Sequence, residues 1–118
     1  MKEFQRTDRL GTELQRELAE LLREKVKDPR VGMVTIQEVR VSRDLSHAKV
    51  YFTCMGGDAK ETERLLNRQL AGFLRRELSR RIRARTIPQL HFTYDESIER
   101  GQHLSALIES AVDEDSSQ

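Results

Sequence analysis

Six arginines fall within the sixteen residues from Phe73 to Pro88, which read FLRRELSRRIRARTIP. Only Glu77 opposes them. A guanidinium stays charged at any ordinary pH. Its planar fork of donors pairs bidentately with phosphate and stacks on bases. Arg75, Arg76, Arg80, Arg81, Arg83 and Arg85 are therefore candidate contacts to an RNA backbone. If residues 72–84 are helical, each residue advances about 100°. Leu74, Leu78 and Ile82 then form a stripe toward a core. Arg76, Arg80 and Arg83 share the opposite side, Arg75 and Arg81 flank them, and Arg85 lies at the helix exit. Arginines near a helix C-terminus also oppose the macrodipole. A merely solvated face, however, interleaves both signs, and this one does not.

The formal net charge is only +1, although 35% of the residues are charged. That near-neutral total hides a segregation. Residues 64–85 carry eight arginines and one acid, whereas residues 95–118 carry seven acids and one arginine. Separated charge of this kind marks a polyanion-facing surface. The acids after Asp95 are also candidate partners for some of the arginines. A second, looser basic set is Lys25, Lys27, Arg30, Arg43 and Lys49.

Catalytic chemistry finds little support. His47, His91 and His103 lack metal-ligand spacing, and no cysteine cluster accompanies them. Cys54, the single cysteine, falls on the apolar side of a strand, a poor place for a nucleophile. There is no P-loop and no dinucleotide fingerprint. Carboxylates are plentiful, but nothing pairs them. The expectation is a binding protein with no cofactor, no metal and no small-molecule substrate. No apolar run approaches the roughly 18 residues of a membrane span, and MKEFQRTDRL has no apolar h-region. One cysteine cannot form an internal disulfide, so the cytoplasm is the expected compartment.

The elements that must position the arginines follow from periodicity. Leu10, Leu14, Leu18, Leu21 and Leu22 make one stripe on a helix from Thr7 to about Lys25. Thr7 or Asp8 is its expected cap, and Asp28-Pro29 its expected stop. Met33 to Val41 is rich in β-branched residues, with a change of phase that predicts a bulge near Gln37-Glu38. A turn over Ser42–Ser46 leads to a second strand in which Ala48, Val50, Phe52 and Cys54 share one face. The two strands should pair as an antiparallel hairpin. Asp58 with Glu61 reads as a capping box for a long helix from Ala59 to Arg83. Gly72, near its middle, predicts a kink or a close helix–sheet contact. Leu90, Phe92 and Tyr94 mark a third strand with His91 on its opposite face. Leu104, Leu107, Ile108 and Ala111 mark a short C-terminal helix, and residues 113–118 an acidic tail. The fold class is α+β, one domain over residues 1–112 with helices on a three-stranded sheet. Strand order stays open.

Four segments together resemble the ribosome-binding factor A family. They are VKDPRVG (Val26–Gly32), SRDLSHAKVY (Ser42–Tyr51), AGFLR (Ala71–Arg75) and IPQLHFTYDES (Ile87–Ser97). The resemblance runs from about Phe4 to Val112 with the motifs in the family's order. It implies a type II KH-like fold, helix–strand–strand–helix–helix–strand, with a C-terminal extension. It implies a bacterial, monomeric factor that binds the small (30S) ribosomal subunit and assists late maturation and processing of 16S rRNA. The G-x-x-G loop of ordinary KH domains is missing here. The family's Ala-x-Gly kink matches Leu70-Ala71-Gly72, with the glycine kept and the first alanine replaced by leucine. Ala71 and Gly72 are thus the expected kink, and the short segment before them predicts an abbreviated first helix. Two rivals to this function are a general single-stranded nucleic-acid binder and a protein-interaction module with an acidic partner.

Overall fold

The computed structural model describes residues 2–26, 28, 31 and 33–96. Helix α1 (Lys2–Glu24) leads to β1 (Met33–Val41) and β2 (His47–Met55). Helix α2 (Ala59–Leu65) runs through a π-helical turn (Leu66–Leu70) into α3 (Ala71–Arg81), and β3 (Gln89–Tyr94) follows. The strand order is β1-β2-β3. β1 and β2 are antiparallel, and β2 and β3 are parallel. The sheet is therefore mixed, and the long crossover returns the chain to the strand it left. This α+β arrangement has the element order that the resemblance implies. The C-terminal helix and the acidic tail expected from the sequence lie outside the described residues, as do Lys27 and Arg30.

One core joins the layers. Leu14, Leu18 and Leu21 of α1 are fully buried, as are Ala48, Val50 and Phe52 of β2 and Leu74 and Leu78 of α3. Leu90 and Phe92 of β3 complete the sheet's inner face. Gly11 is a point of close approach between α1 and β1. A Cβ built there would sit 2.7 Å from the Val39 carbonyl oxygen.

Several expected boundaries shift. α1 begins at Lys2 instead of being capped at Thr7 or Asp8. No glycine or proline interrupts KEFQR, so nothing stops the helix from extending back. It also ends at Glu24, ahead of Asp28. The bulge does fall where the phase changes, with the register slipping between Ile36 and Glu38. Cys54 is half-buried and packs against the core.

The turn between β1 and β2 is built around one carboxylate. Asp44 Oδ1 accepts hydrogen bonds from Ser42 Oγ (2.7 Å), Ser46 Oγ (2.7 Å) and the Ser46 amide (3.1 Å). These bonds, that from Ser42 first, lower its pKa to about 2.

Asp58 caps helix α2 as expected, but its side chain accepts from the Lys60 amide and not from that of Glu61, which a capping box would use. Its regular part is only 7 residues long. Beyond it, Leu66, Leu70, Leu74, Leu78 and Ile82 recur every fourth residue. On an unbroken α-helix such a stripe drifts about 40° per step. The wider π turn takes up part of that drift, so Leu66 and Leu74 both reach the core. The irregularity thus lies just ahead of Ala71, and Leu70 carries the distorted backbone (φ −104°, ψ −23°). Gly72 makes no close helix–sheet contact: a Cβ there would meet nothing within 4 Å.

Candidate nucleic-acid interface

Leu74, Leu78 and Ile82 are buried, as their spacing requires, so the other side of α3 faces solvent. Arg76 and Arg80 stand there one turn apart, both exposed. Among the described residues the acid beside them is Glu77, 3.6 Å from Arg80 Nη1. An exposed pair of that length contributes little and exchanges readily for a better anion.

Arg83 is not on the helix. α3 ends at Arg81, and Ile82 is extended (φ −112°, ψ 129°). The expected helical alignment of Arg83 with Arg76 and Arg80 is therefore corrected. Arg83 and Arg85 instead occupy an exposed loop whose ends are held by buried Ile82, Ile87 and Pro88. The β-branched residues and the proline account for this: extended backbone suits Ile82, and Pro88 cannot continue a helix. Arg75 fastens the loop, its Nε donating to the Ile87 carbonyl oxygen at 2.9 Å. Its side chain remains exposed.

Arg81 is the member of the set that turns inward. Its Nη1 lies 3.3 Å from Glu17 Oε2 and 3.2 Å from Glu20 Oε2, and its Nη2 lies 3.3 Å from Glu24 Oε2. The hydrogen bond to Glu17 leads the causes that raise its pKa. Glu17, Glu20 and Glu24 share one face of α1 at helical spacing. Among the described residues these acids are the partners found for Arg81; the acids after Glu96 lie outside the described residues. Arg76, Arg80, Arg83 and Arg85 thus remain as an outward group, with Arg75 partly committed and Arg81 structural. Arg64 and Arg68 continue the basic character along α2 and the π turn. Sequence reasoning counted them but did not place them in the site.

Of the looser basic set, the described members Lys25, Arg43 and Lys49 do not share one surface. Lys25 follows the end of α1, near the Met33 end of β1, whereas Arg43 lies in the turn at the other end of that strand. Lys49 is exposed on the outer face of the sheet. A groove of about 1010 Å³ lies elsewhere, between α2 and β3, and mixes Lys60, Arg64 and Arg68 with Asp58 and Glu63. The arginine surface is selected by its charge, not by concavity. Among the described residues, no cluster of three or more histidines, cysteines or acids is arranged to hold a metal ion, and no helix is long and apolar enough to cross a membrane.

The edge strand β3 is closed by the helical segment before the arginines. Asn67 Nδ2 donates to the Phe92 carbonyl (2.8 Å), and Asn67 Oδ1 accepts from the Phe92 amide (2.7 Å). Glu63 Oε2 accepts from the Tyr94 amide at 2.8 Å. Unpaired strand edges invite foreign strands; here two side chains take that role and fix the helix pair against the sheet.

Residues 6–108 match the family described as ribosome-binding factor A. The chain belongs to the ribosome-binding factor A family. Its sequence is 58% identical to ribosome-binding factor A of Pseudomonas fluorescens, over 98% of this chain and 90% of that one. The same identity holds with the Thioalkalivibrio sulfidiphilus protein, over 99% and 92%. Among solved structures, the fold resembles the crystal structure of ribosome-binding factor A from Thermus thermophilus. That match has a TM-score of 0.68 at 33% identity, covering 75% of this chain and 94% of that one. It also resembles a homology model of the Thermus thermophilus factor fitted into a cryo-EM map of a 30S–RbfA complex. There the TM-score is 0.65 at 32% identity, covering 76% and 96%.

Proposed function

We propose that this chain binds the small ribosomal subunit and assists late maturation and processing of 16S rRNA, acting in the cytoplasm by binding and not by catalysis. The observation that carries the reading is the outward group Arg76, Arg80, Arg83 and Arg85, almost unopposed by acids among the described residues, on a fold whose Thermus relative was fitted into a 30S complex. The guanidinium forks engage rRNA phosphates, two from a rigid helix and two from a pinned loop. The factor works as a monomer, one domain over residues 1–112 followed by the acidic tail. By holding one RNA conformation it shifts the folding equilibrium of the pre-subunit, to the extent that it binds that conformation more tightly.

The salt dependence of subunit binding tests this reading. Each phosphate contact to a single strand contributes a slope of about −0.7 to log K against log salt. Steep weakening with salt, and loss of the partner from extract pull-downs after RNase treatment, are the expected results. A flat response with an RNase-resistant partner would point to a protein-interaction module. Equal affinity for generic oligonucleotides would point to a general nucleic-acid binder.

A further inference from the structure

The face of the sheet turned away from the helices carries a second anion-seeking surface. Side chains alternate along each strand. Ile36, Val39, Val50, Phe52, Leu90 and Phe92 point into the core, which leaves Arg40, Lys49, Tyr51 and His91 on the other side. Register sets Arg40 opposite Lys49, and Lys49 opposite His91. One cross-strand row therefore reads Arg40, Lys49, His91, and all three are exposed. Like charges directly opposite each other destabilise a sheet. Lys49 Nζ and Arg40 Cζ each lie 5.5 Å from the Tyr51 ring centroid. The ring gathers the two cations instead of neutralising them.

His47 joins the end of the row. Its Nδ1 lies 3.0 Å from His91 Nε2, so one imidazole donates to the other. A hollow of about 420 Å³ at this point is lined by Arg40, Val41, Ser42, His47, Lys49 and His91. No carboxylate is among them. The nearby acids are already engaged. Glu38 pairs with Arg40 at 3.1 Å in an exposed contact. Asp44 is held by Ser42 and Ser46, and Asp95 contributes a charge interaction with Arg40.

We infer that this hollow is a second contact for an RNA phosphate, on the opposite side of the sheet from α3. Charge complementarity selects the occupant. Two cations, Arg40 sharing its charge with Glu38 in an exposed pair, and two imidazoles converge with no acid in the lining, and Tyr51 positions the cations. The protein then touches RNA from two sides. The inference takes from the proposed function only that the ligand is RNA.

Lys49→Glu tests it, because the new carboxylate faces Arg40 and replaces a like-charge pair by an opposite one. Thermal stability should hold or rise, while affinity for a labelled single-stranded RNA of about 12 nucleotides should fall about tenfold. The salt slope should flatten by about 0.7, one contact's worth. Lys49→Gln should give a smaller loss in the same direction. The imidazole proton resonances of His47 and His91 should shift with the RNA and stay unmoved by millimolar inorganic phosphate. Combined with Arg76→Glu/Arg80→Glu, the loss should add in log K, as for separate contacts. Unchanged affinity and slope in both Lys49 variants would overturn the inference, and an equal response to inorganic phosphate would make the hollow a small-anion site instead. If only the α3 variant binds normally, the arginine reading falls and this one stands.

Discussion

Arg81 at the end of α3 reaches Glu17 on α1, with Nη1 and Oε2 3.3 Å apart. This contact divides a run of arginines that looks uniform in sequence. One member holds two helices together, and its neighbours one residue either side, Arg80 and Ile82, face solvent and core. Arg81→Ala should lower the thermal midpoint measurably, and Arg76→Ala should not. Raised salt should narrow that difference, because the contact is largely electrostatic and near the surface. Equal midpoints for the two variants would remove Arg81 from the structural set.

The two helical glycines predict opposite outcomes. Gly11→Ala places a methyl 2.7 Å from the Val39 carbonyl oxygen, a backbone atom that cannot swing aside. Forcing α1 from β1 should cost about 1–3 kcal/mol in denaturant unfolding. Gly72→Ala meets nothing and should stabilise by up to about 1 kcal/mol. A destabilised Gly72→Ala would mean that the backbone there needs glycine after all.

Asn67→Leu should destabilise by about 1–3 kcal/mol, since it strands both the Phe92 amide and its carbonyl. Amide exchange at Phe92 is the direct reading, and it should accelerate. Protection equal to the parent would show that the strand edge is closed by something else.

Asp44 gives the turn a pH signature. Its carboxyl is held at about 2, below the ordinary 3.8, by bonds from Ser42 and Ser46. A lowered folded pKa adds stability that is present above the unfolded value and lost as pH falls through the folded one. The midpoint gap between the parent and Asp44→Asn should therefore be constant above about pH 5 and close between pH 3.8 and 2. A gap that persists at pH 2 would mean that the carboxylate charge is not what holds the turn.

How much of this was legible in the sequence depends on the range of the interaction. The leucine stripes of α1 and α3, the alternation of β2 and the bulge at Ile36/Glu38 are local patterns, and the folded chain keeps them. Strand order was not legible, because a parallel neighbour across a long crossover leaves no local trace. The π turn was hidden behind Gly72, which drew attention as the one glycine in the helix, while the signal lay in the four-residue spacing of Leu66 to Ile82. Gly11 passed unnoticed, since a close approach requires knowing the partner strand. In the site, the charge excess was plain, but which arginine is committed depended on acids on α1 some sixty positions away. Arg83 was misplaced because helical periodicity was extended past Ile82.

On the proposed function, the outward arginines hold the small subunit. Co-sedimentation of the triple variant Arg76→Glu/Arg80→Glu/Arg83→Glu with purified small subunits tests it most directly, with thermal unfolding of the same sample as the control. The variant should melt like the parent and stay at the top of the gradient. A correctly folded variant that still travels with the subunits would contradict it.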